Sequence, residues 1–351
     1  MSGLVDWDLA ASMAAVAAGE ATERAPTGDD DLQATVEEIT VAVKTYTRLS
    51  PTQAPPAPEW VDRRQWAAIN LESMRASLAP IEARLGGAEP RGPGAGTARA
   101  ALGMVAGAQI GALVGFASRR VLGQYEFSLL GAPVEPRLLF VGANVADAQR
   151  ALGGEPRTVL RWIALHEVTH AVHLGAAPWI REYLGSLARS LLTESELRVG
   201  LGEVGAAAKR IATSDPRGWL EELGSSDPLT LLAPPESRDL LARTQATMAA
   251  IEGYAEHVMD AAAPAIGEQV GELRAALERR RENRPPLARL LAWLLGLELK
   301  LRQYRDGKRF CDAVVASTGI EGLNRAWDDP ESLPTTSELL DPEAWIERTA
   351  V

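Results

Sequence analysis

The chain has 351 residues, 46% hydrophobic and 24% charged, a balance that excludes a disordered or fibrous protein. A formal net charge of -11, a sequence pI of about 5.1 and the absence of a dense basic block argue against a nucleic-acid partner. The single cysteine, Cys311, excludes an intrachain disulfide and a Cys-based zinc cluster.

Residues 1–8 hold two Asp and no Lys or Arg, and the apolar stretch beyond them is mostly Ala, so no secretion signal is expected. Together with the lone cysteine this gives a cytoplasmic expectation. Apolar positions Trp7, Leu9, Met13 and Val16 predict a helix over 7–24. An acidic turn at Thr27–Asp31 leads into a second helix from Leu32 to about Leu49. Four prolines between Pro51 and Pro58 read as a rigid connector. Trp60–Leu85 is periodic again, and Gly86–Gly96 reads as a loop.

Ala100–Ser118 is uncharged and close to a bilayer span in length. Gly103, Gly107, Gly111 and Gly115 fall every fourth residue within it, a smooth stripe on one helix face. In a membrane that stripe would be a dimer face; in a soluble protein it admits a second helix at backbone distance. The soluble reading is adopted, because one weakly hydrophobic segment in a globular chain is normally a central helix, and no membrane partner is expected. Tyr125–Leu130 and Arg137–Val141 are the strand candidates, joined by a turn-like Gly-Ala-Pro-Val-Glu-Pro.

After Asn144 the chain reads as helical to its end. Breaks are expected near 153–154, Gly175–Pro178, 214–216, 225–228, 234–235 and 285–286. Asp306-Gly307 reads as a kink or cap, and Asp341-Pro342 starts a last helix. The fold class is therefore predominantly α with one small sheet. A single composite domain over 1–351 is expected, with a helical part at 1–98 and a metal-site core at 99–351.

The chemistry concentrates where the histidines do. Only four are present, and three fall in Leu-His-Glu-Val-Thr-His-Ala-Val-His, starting at Leu165. His166 and His170 are four apart, so on a helix their rings project from one face and can share a metal. Glu167 is offset around the helix, beside the metal rather than among its ligands. This is the HExxH arrangement of zinc hydrolases, in which two imidazoles and a third protein ligand hold Zn²⁺ and water takes the fourth position. The metal lowers the pKa of that water to about 7, and the Glu accepts its proton.

Position 176 is Ala, so a His-only third ligand in the HExxHxxGxxH pattern is excluded. His173 lies about 10 Å along the helix from His166 and cannot join the same ion. It reads either as a group near the site or as an ordinary polar helix residue. The third ligand is sought in Glu252–Asp260, where Glu252, Glu256 and Asp260 form a carboxylate stripe bordered by apolar residues. Glu252 is the preferred ligand and Glu256 its backing group, with the reverse assignment open. Tyr254 and His257 are candidates for stabilising the oxyanion. Arg181 is a candidate clamp for a substrate carboxylate, or else the partner of an acidic neighbour.

The plan of HExxH plus a Glu on a later helix resembles the gluzincins, and Glu252-Gly253-Tyr254-Ala255 is similar to the glutamate segment of their aminopeptidase-type members. The gap of about eighty residues between His170 and Glu252 is longer than in those enzymes, near twenty residues. A bacterial family of zincin-like metallopeptidases, also known as coenzyme F-420 biosynthesis-associated proteins, is similar over most of the chain. The matching segments are Arg120–Tyr125, Leu138–Asn144, Trp162–His170, Pro178–Leu184, Glu252–Asp260, Leu301–Phe310 and Leu333–Leu339 with Trp345. The resemblance implies a helical zincin-like fold around the HExxH helix and a zinc hydrolase with one Zn²⁺ per chain. The expected function is a metallopeptidase acting on an amide bond of a peptide or small molecule. The competing reading is a metal-stabilised scaffold or binding protein, associated with coenzyme F-420 metabolism.

Overall fold

The computed structural model describes residues 4–20, 28–86, 95–126, 135–152, 156–196, 237–266 and 297–349. The chain divides into two units, one formed by residues 1–176 and 259–278, the other by 177–258 and 279–351. As expected, it is mostly helical, with one small three-stranded sheet among the described residues.

In the first unit, α1 (Trp7–Ala18) starts at Asp6, whose carboxylate accepts from the Leu9 amide at 3.0 Å. It stops at Gly19 (φ 82°, ψ -164°), short of the predicted end at 24, because glycine adopts a positive-φ extended conformation that other residues rarely reach and that leaves the helix. In α2 (Asp29–Thr47), Asp29, Asp30 and Asp31 occupy the first turn, where the helix dipole favours them. The acidic turn is thus the start of the helix itself. Then come β1 (Pro58–Val61), α3 (Arg63–Gly86), α4 (Ala95–Ser118), β2 (Gly123–Glu126), β3 (Arg137–Val141), α5 (Gly142–Leu152) and α6 (Pro156–Ala176).

The sheet order is β1-β3-β2, with β1 parallel and β2 antiparallel to the central β3. Leu138, Leu139, Phe140 and Val141 of β3 are all completely buried, as a strand covered on both faces requires. Strand β1 replaces the expected end of the proline connector and the expected start of a helix at Trp60. Trp60 pairs in register with Phe140 and meets its ring edge-on at 5.9 Å.

The glycine stripe of α4 finds its partner in α1. A Cβ added at Gly107, Gly111 or Gly115 would lie 2.3, 2.2 or 2.5 Å from the carbonyl oxygens of Asp6, Ala10 and Ala14. Ala10 and Ala14 are buried at that seam. Arg99–Ser118, at mean hydropathy 1.7, is long and apolar enough to cross a membrane, and Leu102, Met104, Val105 and Leu113 are exposed on it.

In the second unit, α7 (Trp179–Glu196) follows the expected break after Gly175. Helix α8 (Arg238–Ala262) lies in this unit except for its last turn, which the first unit holds. Next are α9 (Leu297–Asn324), a 3₁₀ turn at Arg325–Trp327, α10 (Thr336–Leu340) and α11 (Pro342–Thr349). Gly307 neither kinks nor caps α9. A Cβ there would meet the Ala249 carbonyl oxygen, and one at Gly253 would lie 2.2 Å from the Gly307 carbonyl carbon, so α8 and α9 touch backbone to backbone. The kink of α9 sits instead at Gly319 (φ 75°, ψ 176°). Thr335 and Glu338 form a capping box at α10. The expected breaks at 153–154, 214–216, 225–228, 234–235 and 285–286 lie outside the described residues, as do 87–94 and 127–134.

The α1–α4 seam has room for hydrogen only. Gly111→Ala should destabilise the protein by about 1–3 kcal/mol, as over-packing does, despite the better helix propensity of Ala. Gly96→Ala, with open space around it, should be neutral within about 0.5 kcal/mol. Urea unfolding of the two variants checks the contrast.

Candidate metal centre

Helix α6 is buried on most of its surface. Val159, Leu160, Ile163, Ala164, Leu165, Val168, Ala171 and Val172 are all at or below 3% exposure. It packs against α2, α5, β2 and β3. Against that apolar surround the helix carries Glu167, His170 and His173, each buried, and the half-buried His166. Burying such groups is costly unless each finds a partner.

The one-turn spacing brings the two rings together. His166 Nε2 and His170 Nε2 are 3.1 Å apart, with the rings at 87° and centroids 4.6 Å apart. His166 Nδ1 lies 3.3 Å from Met259 Sδ, a weak acceptor that favours the proton on Nδ1 and leaves the Nε2 lone pair facing His170. Two imidazole nitrogens bound to one zinc at tetrahedral angles sit about 3.3 Å apart, so the pair fits a shared cation. Glu252, half-buried on α8, completes the donor set: ligand atoms of His166, His170 and Glu252 lie within 4.8 Å of one another. Two neutral nitrogens and a carboxylate oxygen are donors suited to Zn²⁺.

Glu167 points to the sheet. Its Oε2 accepts from the Tyr125 amide at 2.8 Å, and Gly123 leaves space for its side chain. His173 is 1% exposed, and burial, with a smaller contribution from His170, pushes its pKa well below the usual value of 6.5. It is therefore a neutral core histidine at neutral pH.

Of the remaining candidates, Glu256 is half-buried one turn after Glu252, and Arg181 is half-buried in the first turn of α7. Tyr254 is fully buried. Its hydroxyl donates to Asn324 Oδ1 at 2.9 Å and its ring meets Trp327 edge-on at 5.4 Å, which places it as a core residue. His257, 8% exposed, has its Nδ1 2.7 Å from Asp312 Oδ1, and Lys308 Nζ donates to Asp312 Oδ2 at 2.6 Å. Burial works to raise the Asp312 pKa, but the hydrogen bonds and charges of Lys308 and His257 prevail and hold it below the usual carboxylate value.

Sequence reasoning missed Asp312, Gly123, the Tyr125 amide and Met259 as neighbours of the chemistry. Gly123, Tyr125 and Met259 lie within segments that carry the family resemblance, and Asp312 follows Lys308 by one turn on α9, but none of these signals names the contact made.

The chain matches the family model described as zincin-like metallopeptidase over residues 5–346, and it belongs to that family. Among solved structures it is similar to the crystal structure of a presumed hydrolase with a novel fold from Chloroflexus aurantiacus. The two are 28% identical over 98% of each chain, with a TM-score of 0.67. No curated protein matches the chain.

Because the Asp312 carboxyl titrates lower when folded than when unfolded, its stabilisation is present above the ordinary value of 3.8 and lost as pH falls through the lowered value. Asp312→Asn should remove that part of the acid limb. The change should be a fraction of a kcal/mol, since solvent screens this half-exposed pair. Urea midpoints of wild type and variant measured from pH 6 to pH 2.5 check it.

Proposed function

We propose that this member of the zincin-like metallopeptidases is a zinc-dependent hydrolase that cleaves an amide bond, with Glu167 as general base. The observation that carries the reading is the convergence of His166, His170 and Glu252 donor atoms, with Glu167 next in sequence to one of them. The presumed-hydrolase relative from Chloroflexus aurantiacus supports the reaction class.

His166 and His170 would hold zinc through Nε2, and Glu252 through its carboxylate. When bound, zinc supplies a Lewis acid that brings the pKa of a coordinated water to about 7. Glu167, held by the Tyr125 N–H donor, takes the proton of the attacking water and passes it to the leaving nitrogen. Glu256, one turn beyond the ligand, backs it from the same helix. His257, whose Nδ1 faces the Asp312 carboxylate, is the candidate donor toward the developing negative charge. Tyr254 has no part in this scheme, since its hydroxyl is already engaged in the core. Arg181 is proposed to meet the carboxylate end of a peptide substrate.

Purified protein should contain about one zinc per chain by elemental mass spectrometry, and His170→Ala should lose it. Glu167→Gln should keep the metal and lower turnover of a synthetic peptide library, read by mass spectrometry, by about 10²–10⁴-fold. Full turnover by Glu167→Gln would overturn the assignment of the base.

A further inference from the structure

We propose that strand β2 is the positioning element for Glu167: the Tyr125 amide fixes one carboxylate oxygen, and the absence of a side chain at Gly123 sets where the other can lie. The proposal rests on the hydrolase reading of Glu167 and names the residues that aim it.

A glutamate side chain has three torsions to lose, roughly 1.5–2 kcal/mol of rotamer freedom. A base left free to sample them would spend little time at the geometry proton transfer needs. A misplacement of about 1 Å can cost on the order of 10²-fold in rate. Glu167 therefore needs a fixed contact outside its own helix, and β2 provides two.

The first contact follows from topology. With the order β1-β3-β2, strand β2 is an edge among the described residues, so amides on its outer side have no strand partner among them. The Tyr125 amide instead donates to Glu167 Oε2 at 2.8 Å, a charge-assisted hydrogen bond to a residue that is only 8% exposed. The carboxylate satisfies the strand edge, and the strand edge holds the carboxylate.

The second contact is steric. A Cβ at position 123 would lie 2.8 Å from Glu167 Cγ, 3.2 Å from Glu167 Oε1 and 3.0 Å from Ile163 Cγ2. The backbone at Gly123 does not itself ask for glycine, because among the described residues positive φ occurs at glycine only in Gly19 and Gly319. What glycine provides here is room, and the atoms that use it belong mainly to the base.

Two measurements test this. In hydrogen-exchange mass spectrometry or NMR on the full chain, Glu167→Ala should speed exchange of the Tyr125 amide at least tenfold relative to the amides of the central strand β3. Unchanged exchange overturns the clamp. In the peptide-library assay, Gly123→Ala should lower kcat by about 10–100-fold with KM and zinc content unchanged, whereas Gln124→Ala, on the same strand, should not. In the Gly123→Ala background, Glu167→Asp should cost little more than it does alone, because the shorter side chain withdraws from the added Cβ. Wild-type kcat in Gly123→Ala, or independent multiplication of the two losses, overturns the proposal. Glu167→Gln separates the two readings: if it keeps full turnover, the assignment of Glu167 as the base fails, whereas the exchange result still judges the clamp.

Discussion

Two imidazoles one helical turn apart on a helix that is otherwise core set the terms for everything around them. Helix α6 cannot turn to present its histidines to water, because Ile163, Leu165, Val168 and Val172 hold its other faces in the apolar interior. Each polar group it carries must then be satisfied by the protein, since an unmet buried donor or acceptor costs about 1–3 kcal/mol. The surrounding chain supplies those partners from distant positions: Met259 from α8 for His166, and the β2 edge for Glu167. The metal-site reading and the fold are therefore one problem, because moving α6 would leave several buried polar groups without partners at once.

Both units solve helix placement with the same device. In the first, α4 lies against α1 through Gly107, Gly111 and Gly115; in the second, α8 lies against α9 through Gly253 and Gly307. Backbone contact of this kind leaves no slack for rotation or slippage, unlike a seam of flexible Leu or Met side chains. Gly253 directly follows Glu252. The residue next to the proposed ligand is thus the one that fixes the lateral position of α8, and the sequence Glu-Gly-Tyr reads as ligand, contact and core anchor in successive positions.

What was legible in the sequence is what depends on local spacing. The HExxH pair needs only the helical period, and the Glu252 stripe needs the same period on a second helix. The glycine repeat of α4 announced a close approach, though not that α1 would make it. Strand β1 was not legible: four residues beginning with a proline carry little strand signal, and their pairing partner β3 lies about eighty residues away. Gly307 misled for a related reason. A helix-interior glycine and a helix-ending glycine look alike until the opposing backbone is known, and the kink fell at Gly319 instead. Tyr254 was a candidate for stabilising an oxyanion, but its side chain turns toward Asn324 and Trp327. The Tyr125 amide could not have been found at all, because a backbone group has no residue type to betray it.

The engagement of Glu167 bears on whether the centre is structural or catalytic. A purely structural zinc site gains by recruiting every nearby carboxylate as a ligand, which closes the coordination sphere. Glu167 is adjacent in sequence to His166, yet one of its oxygens is committed to a strand amide and its methylenes occupy the space over a glycine. Held there, the carboxylate is anchored apart from the donor set of His166, His170 and Glu252. That division of labour, three candidate donors for an ion and a separately anchored carboxylate, supports the hydrolase proposal over a scaffold. It is what a hydrolase needs, because its base must exchange protons in every turnover while its ligands do not move.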